Sequence, residues 1–187
     1  MAKIVKYNGD VRNLRVYKCS QIISCLTEKF VEKYIRKGSR TIDQMQQAAR
    51  SCKQNIVEGS QAAPTSKETE IKLTNVANAS LGELEEDFID YLAFNELKIW
   101  EKNHLRTEKL RAYLRSQKFE TEYMQLADKL NAEEFCNLMI TLIKQTQYLL
   151  SKMIESQERR FLEEGGIREA MTRARIEYRG FQNNKRN

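Results

Sequence analysis

Apolar residues recur at steps of three and four along most of the chain, the spacing that puts side chains on one face of an α-helix. The first stripe, Val16, Cys19, Ile23, Leu26, Phe30 and Tyr34, predicts a helix over about 13–37, ended by Gly38 and Ser39. Before it, residues 1–12 read as an irregular lead with a turn near Asn8, Gly9 and Asp10. The second stripe, Ile42, Met45, Ala49, Cys52 and Ile56, lies opposite Asp43, Gln47, Arg50, Gln54 and Glu58, and predicts a helix over about 41–62 with Ser39 or Thr41 as its cap. Gly59 follows the last periodic residue, where helices often end because glycine enters the left-handed region freely. Past Pro64, the stripe Leu73, Ala77, Leu81, Leu84, Phe88 and Tyr91 predicts a helix over about 66–94, capped either by Ser66 with Thr69 or by Thr65 with Glu68. A fourth stripe, Phe135, Leu138, Leu142, Leu149 and Met153, is widened by Met139, Ile143, Leu150 and Ile154, and predicts a long helix over about 132–164. Between the third and fourth, residues 95–130 predict a turn at 95–100 and helices near 101–116 and 120–129. Gly165 and Gly166 make a break, 167–178 is helix-prone again, and the last residues from Gly180 read as disordered. Ile22, Val31 and Leu92 fall outside the narrowest stripes and are candidates for burial between subunits.

One proline and seven glycines in 187 residues leave few helix breakers, so the class is all-α. The short link between the first two helices suits antiparallel neighbours. No apolar run approaches the ~20 residues that span a bilayer, and residues 1–10 lack an apolar signal region; the expectation is a cytoplasmic protein with no membrane contact. Cys19, Cys25, Cys52 and Cys136 form no Cys-x-x-Cys pair and read as small hydrophobes in a reducing compartment. Net charge is +6, and it is segregated: residues 1–40 carry ten Lys and Arg against three acids, 65–95 carry two against seven, and 165–187 carry six against two. Arg15, Lys18, Lys29, Lys33 and Arg36 form a basic row beside the first stripe, with only Glu28 and Glu32 to offset it. Arg168, Arg173, Arg175 and Arg179, interleaved with Tyr178 and Phe181, make a second basic element. Such faces suit a polyanion, and they equally suit an acidic protein surface.

Two short motifs carry a resemblance. Ser51 and Cys52, followed by Asn55, Ile56, Val57, Glu58 and Gly59, resemble the Ser-Ile-x-x-Asn-Ile-Ala-Glu-Gly signature of the four-helix-bundle family that includes proteins encoded in 23S ribosomal RNA intervening sequences and the accessory variability proteins of diversity-generating retroelements. Downstream, Ala77, Ala79, Ser80, Glu83 and Leu84 resemble that family's Ala-x-Gly-Ser-x-x-Glu-Leu segment. The two cover roughly 12–95; Cys52, Val57 and Ala79 depart from the pattern by small or apolar exchanges. The resemblance implies an antiparallel up-down four-helix bundle over 1–164, with 95–130 as a helical insertion before the last bundle helix and 165–187 as a basic C-terminal suffix. It makes Ser51, Asn55, Glu58, Gly59, Ser80 and Glu83 structural, Glu83 through a hydrogen bond to the neighbouring helix. It also implies a homo-oligomer, most simply a pentamer, and a partner such as a reverse transcriptase.

Catalytic chemistry is hard to assemble from these residues. There is no Gly-x-Ser-x-Gly, no phosphate-binding glycine loop and no dinucleotide fingerprint. The acids Glu83, Glu85, Glu86, Asp87 and Asp90 could be mistaken for metal ligands. A di-iron bundle, however, needs two Glu-x-x-His motifs, and the chain's one histidine, His104 after Glu101, supplies one. The expectation is therefore no enzyme, no metal and no cofactor. The leading function is an oligomeric nucleic-acid-binding or scaffold protein whose Lys and Arg side chains contact RNA or DNA phosphates without base specificity. The alternative is a protein–protein module whose basic and acidic faces mediate self-assembly or docking. Trp100 and Tyr113 serve in either case as anchors for the insertion, with base stacking as their other possible use.

Overall fold

The computed structural model describes residues 9–101 and 103–184. Among them are seven α-helices and no strand: α1 (Arg15–Tyr34), α2 (Arg40–Ala62), α3 (Lys67–Phe94), α4 (Leu105–Leu114), α5 (Gln117–Lys129), α6 (Ala132–Glu164) and α7 (Ile167–Asn184). The lead over 1–8 and the end of the tail at 185–187 lie outside the described residues.

Short polar side chains set most of the starts, each taking one of the backbone N–H groups that a first turn leaves free. Ser39 accepts from Thr41 N at 3.3 Å, and Ser66, not Thr65, accepts from Thr69 N at 3.1 Å. Asn131 and Glu134 form a reciprocal capping box at α6, at 2.9 and 3.2 Å, where the sequence had suggested one at Thr65 and Glu68. His104 and Ser116 cap α4 and α5, which moves the predicted helix starts from 101 to Leu105 and from 120 to Gln117. At the first helix, a short 3-10 turn over Val11–Asn13, capped by Asp10, delays the start to Arg15. That helix ends at Tyr34, not 37, because Ile35 takes up an extended conformation and packs on the core. Gly38 (φ +83°) then turns the chain into α2, and Gly165 (φ +71°) ends α6. The tail departs most from expectation. Helix continues through Gly180 to Asn184, since one glycine costs a helix only about 1 kcal/mol.

α1 packs on α2 and α6, α2 on α3, and α3 on α6. The pairings run antiparallel. Ser51 meets Ser80 while Gly59 lies against Leu73 and Thr74. Glu70 meets Arg160 while Glu85 meets Lys144, and Cys19 is beside Thr146 while Phe30 packs on Phe135. The predicted stripes fill the space between: Ile23, Phe30, Met45, Cys52, Leu81, Phe88, Phe135 and Ile143 are all fully buried. Ile22, Val31 and Leu92 are buried within the single chain as well, so they are not free to pack between subunits. α5 packs on α1, and α4 on α5 and α6. No helix among the described residues is long and apolar enough to cross a membrane.

Candidate nucleic-acid interface

The basic row of the first helix does not stay together. Lys29 forms an ion pair with Asp128. Lys33 Nζ donates to the carbonyl oxygens of Asp128 at 3.2 Å and Leu130 at 3.0 Å. These are the last carbonyls of α5, where a helix presents partial negative charge and a cation is favoured. Two of the predicted phosphate ligands are thus holding α5 against α1. Arg36 is exposed but lies beyond the end of α1, so it does not continue the row. Lys18 is exposed on α1.

Arg15, the first residue of α1, has a different neighbourhood. Its Nη2 donates to the carbonyl oxygen of Arg115 at 3.4 Å, and Arg115 Nε donates to the carbonyl oxygen of Arg111 at 3.1 Å. Arg15 therefore sits beside the C-terminal turn of α4. The three arginines rim a cavity of about 700 Å³ between α1, α4 and α6, with Lys144 as a fourth cation. Lys144 also pairs with Glu85 at 3.1 Å. No Asp or Glu lines the cavity, and none of the three arginines has a carboxylate partner among the described residues. The floor is apolar, with the buried Ile140 and the half-buried Leu149 of α6, and the exposed Ile99 of the insertion adds to the apolar lining. Cys19 is in the wall. Burial raises its pKa, and the nearby Arg15 guanidinium opposes that rise.

The insertion is fixed in place by Trp100. Its backbone N–H donates to Asn137 Oδ1 at 2.7 Å and its indole Nε1 to Glu133 Oε1 at 3.0 Å. The indole and the Lys98 N–H hold the Glu133 carboxyl below its ordinary pKa. Arg106 lies over the indole ring, 5.4 Å from its centroid, and His104 stacks at 6.2 Å. Tyr113 packs edge-on against Phe119 at 5.6 Å. Both aromatics are anchors of the insertion in this arrangement.

Arg168, Arg173, Arg175 and Arg179 are all exposed along α7, and the Arg173 guanidinium reaches back to the Glu164 carbonyl oxygen at 2.6 Å. The motif residues divide. Asn55 Nδ2 donates to Ser51 O at 2.8 Å and Ser51 Oγ at 3.2 Å, and Ser51 Oγ is 2.9 Å from Ser80 Oγ, so the three link α2 to α3. Gly59 is buried inside α2, not at its end; a Cβ there would lie 3.4 Å from Glu70 O and Leu73 Cβ. Glu58 is exposed. Glu83 is exposed too, and among the described residues it makes no hydrogen bond to α2; its charge acts on Asp87 instead. Burial, Asp90 and Glu83 together raise the Asp87 carboxyl above its ordinary range. Among the described residues, no three His, Cys, Asp or Glu side chains converge as a metal site would require.

The chain matches no protein-family model, no curated protein and no solved structure. In the sequence Arg111 and Arg115, with Arg106, Lys109 and Lys118, make the insertion basic at its centre, but they were not among the expected phosphate ligands, and Lys144 of α6 gave no such signal. Only the packing of α4 across α1 and α6 brings the three to Arg15.

Proposed function

We propose that the chain is a non-enzymatic nucleic-acid-binding scaffold, a four-helix bundle of α1, α2, α3 and α6 with α4 and α5 inserted and α7 as a basic arm. The observation that supports it is the rim of Arg15, Arg111 and Arg115 around a cavity with no carboxylate in its lining. The Arg15 and Arg115 guanidiniums each donate to a neutral carbonyl oxygen, and such bonds leave most of their fixed, forked donors, with those of Arg111 beside them, for phosphate oxygens. The exposed Lys18 and the arginines of α7 extend the same charge. Repetition of such a face in a homo-oligomer, a pentamer if the resemblance to the intervening-sequence and retroelement proteins reflects kinship, would strengthen binding by avidity. A reverse transcriptase or another RNA-handling enzyme is then a natural partner.

The test is binding to structured RNA and duplex DNA across a salt series. Affinity should fall steeply with salt, equally for unrelated sequences, with a log–log slope of about 0.9 per duplex phosphate contacted. Arg111→Glu with Arg115→Glu should lower that slope and the low-salt affinity while the helical circular dichroism is unchanged. Lys29→Glu with Lys33→Glu should instead loosen α5. Unchanged affinity in the arginine variant would remove this face from the reading.

A second reading, a protein–protein module, is favoured by the exposed acids Glu83, Glu86 and Asp90 on α3, of which Asp90 and Glu83 bear on the Asp87 carboxyl. An assembly joined by such charges should dissociate at high salt on gel filtration, whereas an apolar one should persist.

A further inference from the structure

We infer that the cavity between α1, α4 and α6 accepts one nucleotide of a single strand, its phosphates at the arginine rim and its base against the apolar floor; this rests on the reading of that face as a phosphate-binding surface. The cavity's volume, about 700 Å³, falls among those of small-ligand sites, about 300–1,000 Å³, and leaves room for a sugar and base together. Charge is confined to the rim, where Arg15 donates to the Arg115 carbonyl oxygen and also meets the Cys19 side chain, and Arg115 donates to the Arg111 carbonyl oxygen. Below it, Ile140 and Leu149 offer no charge and no hydrogen bond. A ligand that fits both must be anionic at one end and flat and apolar at the other. Tyr148 lines the same cavity, is 63% exposed, and among the described residues has only Lys152 over its ring, 5.9 Å from the centroid. Its ring is therefore open to a stacked base, as that of Trp100 is not.

The polar groups of the wall argue for tolerance of any base. Asn137 donates to Lys98 O at 2.9 Å and Glu133 O at 2.8 Å and accepts from Trp100 N; the Thr141 hydroxyl donates to Asn137 O at 2.7 Å. Thr107 Oγ1 likewise donates to Glu101 O at 2.9 Å and Gln145 Nε2 to Arg111 O at 3.3 Å, which leaves chiefly the rest of the Gln145 amide to read a base edge, so stacking and charge decide. Stacking of that kind accepts any base that is not already paired. A duplex keeps its bases inside the stack and would touch the rim while leaving the floor uncovered.

The experiment is fluorescence anisotropy with the full chain and three probes of equal length: a labelled thymidine 12-mer, the same backbone with abasic sites, and the duplex. The thymidine strand should bind about tenfold more tightly than the other two, within what stacking one base supplies. Tyr148→Ala, a change at an exposed ring, should erase most of that margin without altering abasic binding. Equal affinity for thymidine and abasic strands would overturn the inference and leave the phosphate-binding reading in place. Failure of all three probes to bind at low salt would overturn both. Competition with thymidine monophosphate separates the sources: displacement only at concentrations far above the strand's own Kd is the expected result, and displacement at concentrations comparable to that Kd would overturn the strand-borne nucleotide in favour of a free one.

Discussion

The two ends of the α3–α6 seam are closed by opposite chemistry. At one end Phe30 of α1 stands at the centre of an aromatic cluster, with Phe88 at 4.9 Å, Tyr91 at 5.0 Å, Tyr34 at 5.3 Å and Phe135 at 5.4 Å, mostly edge to face. At the other end Glu70, only 2% exposed, pairs with Arg160 and accepts from Gln157 Nε2 at 3.2 Å. Gln157 Nε2 also donates to Thr74 Oγ1 at 3.0 Å. The aromatic end gains from every surface it hides from water, and ring pairs add to that gain. The polar end first loses the hydration of two charges and recovers it only as far as its geometry permits. It does so incompletely, since Gln157 Oε1 and Arg160 Nε find no partner among the described residues. The aromatic end therefore holds the helices together, while the polar end fixes their register.

Truncating the centre of the cluster should produce the largest effect. Phe30→Ala leaves a cavity between three helices and should cost about 3–5 kcal/mol in urea unfolding. At the polar end, Glu70→Leu strands the Arg160 charge, but that side chain is 32% exposed and can turn to water. The expected cost is smaller, about 1–3 kcal/mol. Glu70→Leu combined with Arg160→Met should recover most of it, because a buried pair replaced whole by apolar groups is often near neutral. A double variant no better than the single one would mean that the pair contributes net stability, and the contrast between the two ends would fail.

Next comes the small-residue contact beside Glu70. Gly59→Leu should cost about 1–3 kcal/mol by overpacking. Gly59→Ala should be neutral or slightly stabilising, because a Cβ at 3.4 Å is in ordinary contact and alanine favours the helix by about 1 kcal/mol. This glycine also marks the limit of what was legible in the sequence. Its place after the last apolar residue of a stripe pointed to a helix end; its buried contact with α3 depends on a neighbour the local pattern does not contain. The stripes of α1, α2, α3 and α6 were legible because each repeats one spacing over five or six residues. The site was legible only in part. Lys29 and Lys33 had the right charge, but their partners are carbonyls and a carboxylate about 95 residues away in sequence, and no one-dimensional pattern encodes that meeting. Arg15 and the insertion arginines were visible separately; the cavity they share was not.

The smallest effect belongs to the acids between the two ends of α3. Burial raises the Asp87 pKa above 3.8, and Asp90 and Glu83 add to the shift. The native state thus binds this proton more tightly than the unfolded chain does. Protonation on acidification stabilises the native state, and at neutral pH, above both pKa values, the full destabilisation by the charge is present. Asp87→Asn removes the charge without removing the side chain. The variant should be more stable than the parent at pH 7, by about 0.5 kcal/mol or less for a half-exposed position. That gain should shrink as pH falls through the folded-state pKa and vanish below 3.8. Urea midpoints at several pH values read the difference directly. A loss of stability at pH 7 would show instead that the carboxylate makes a favourable native contact, and the acidic face of α3 would then belong with the paired polar end of the seam.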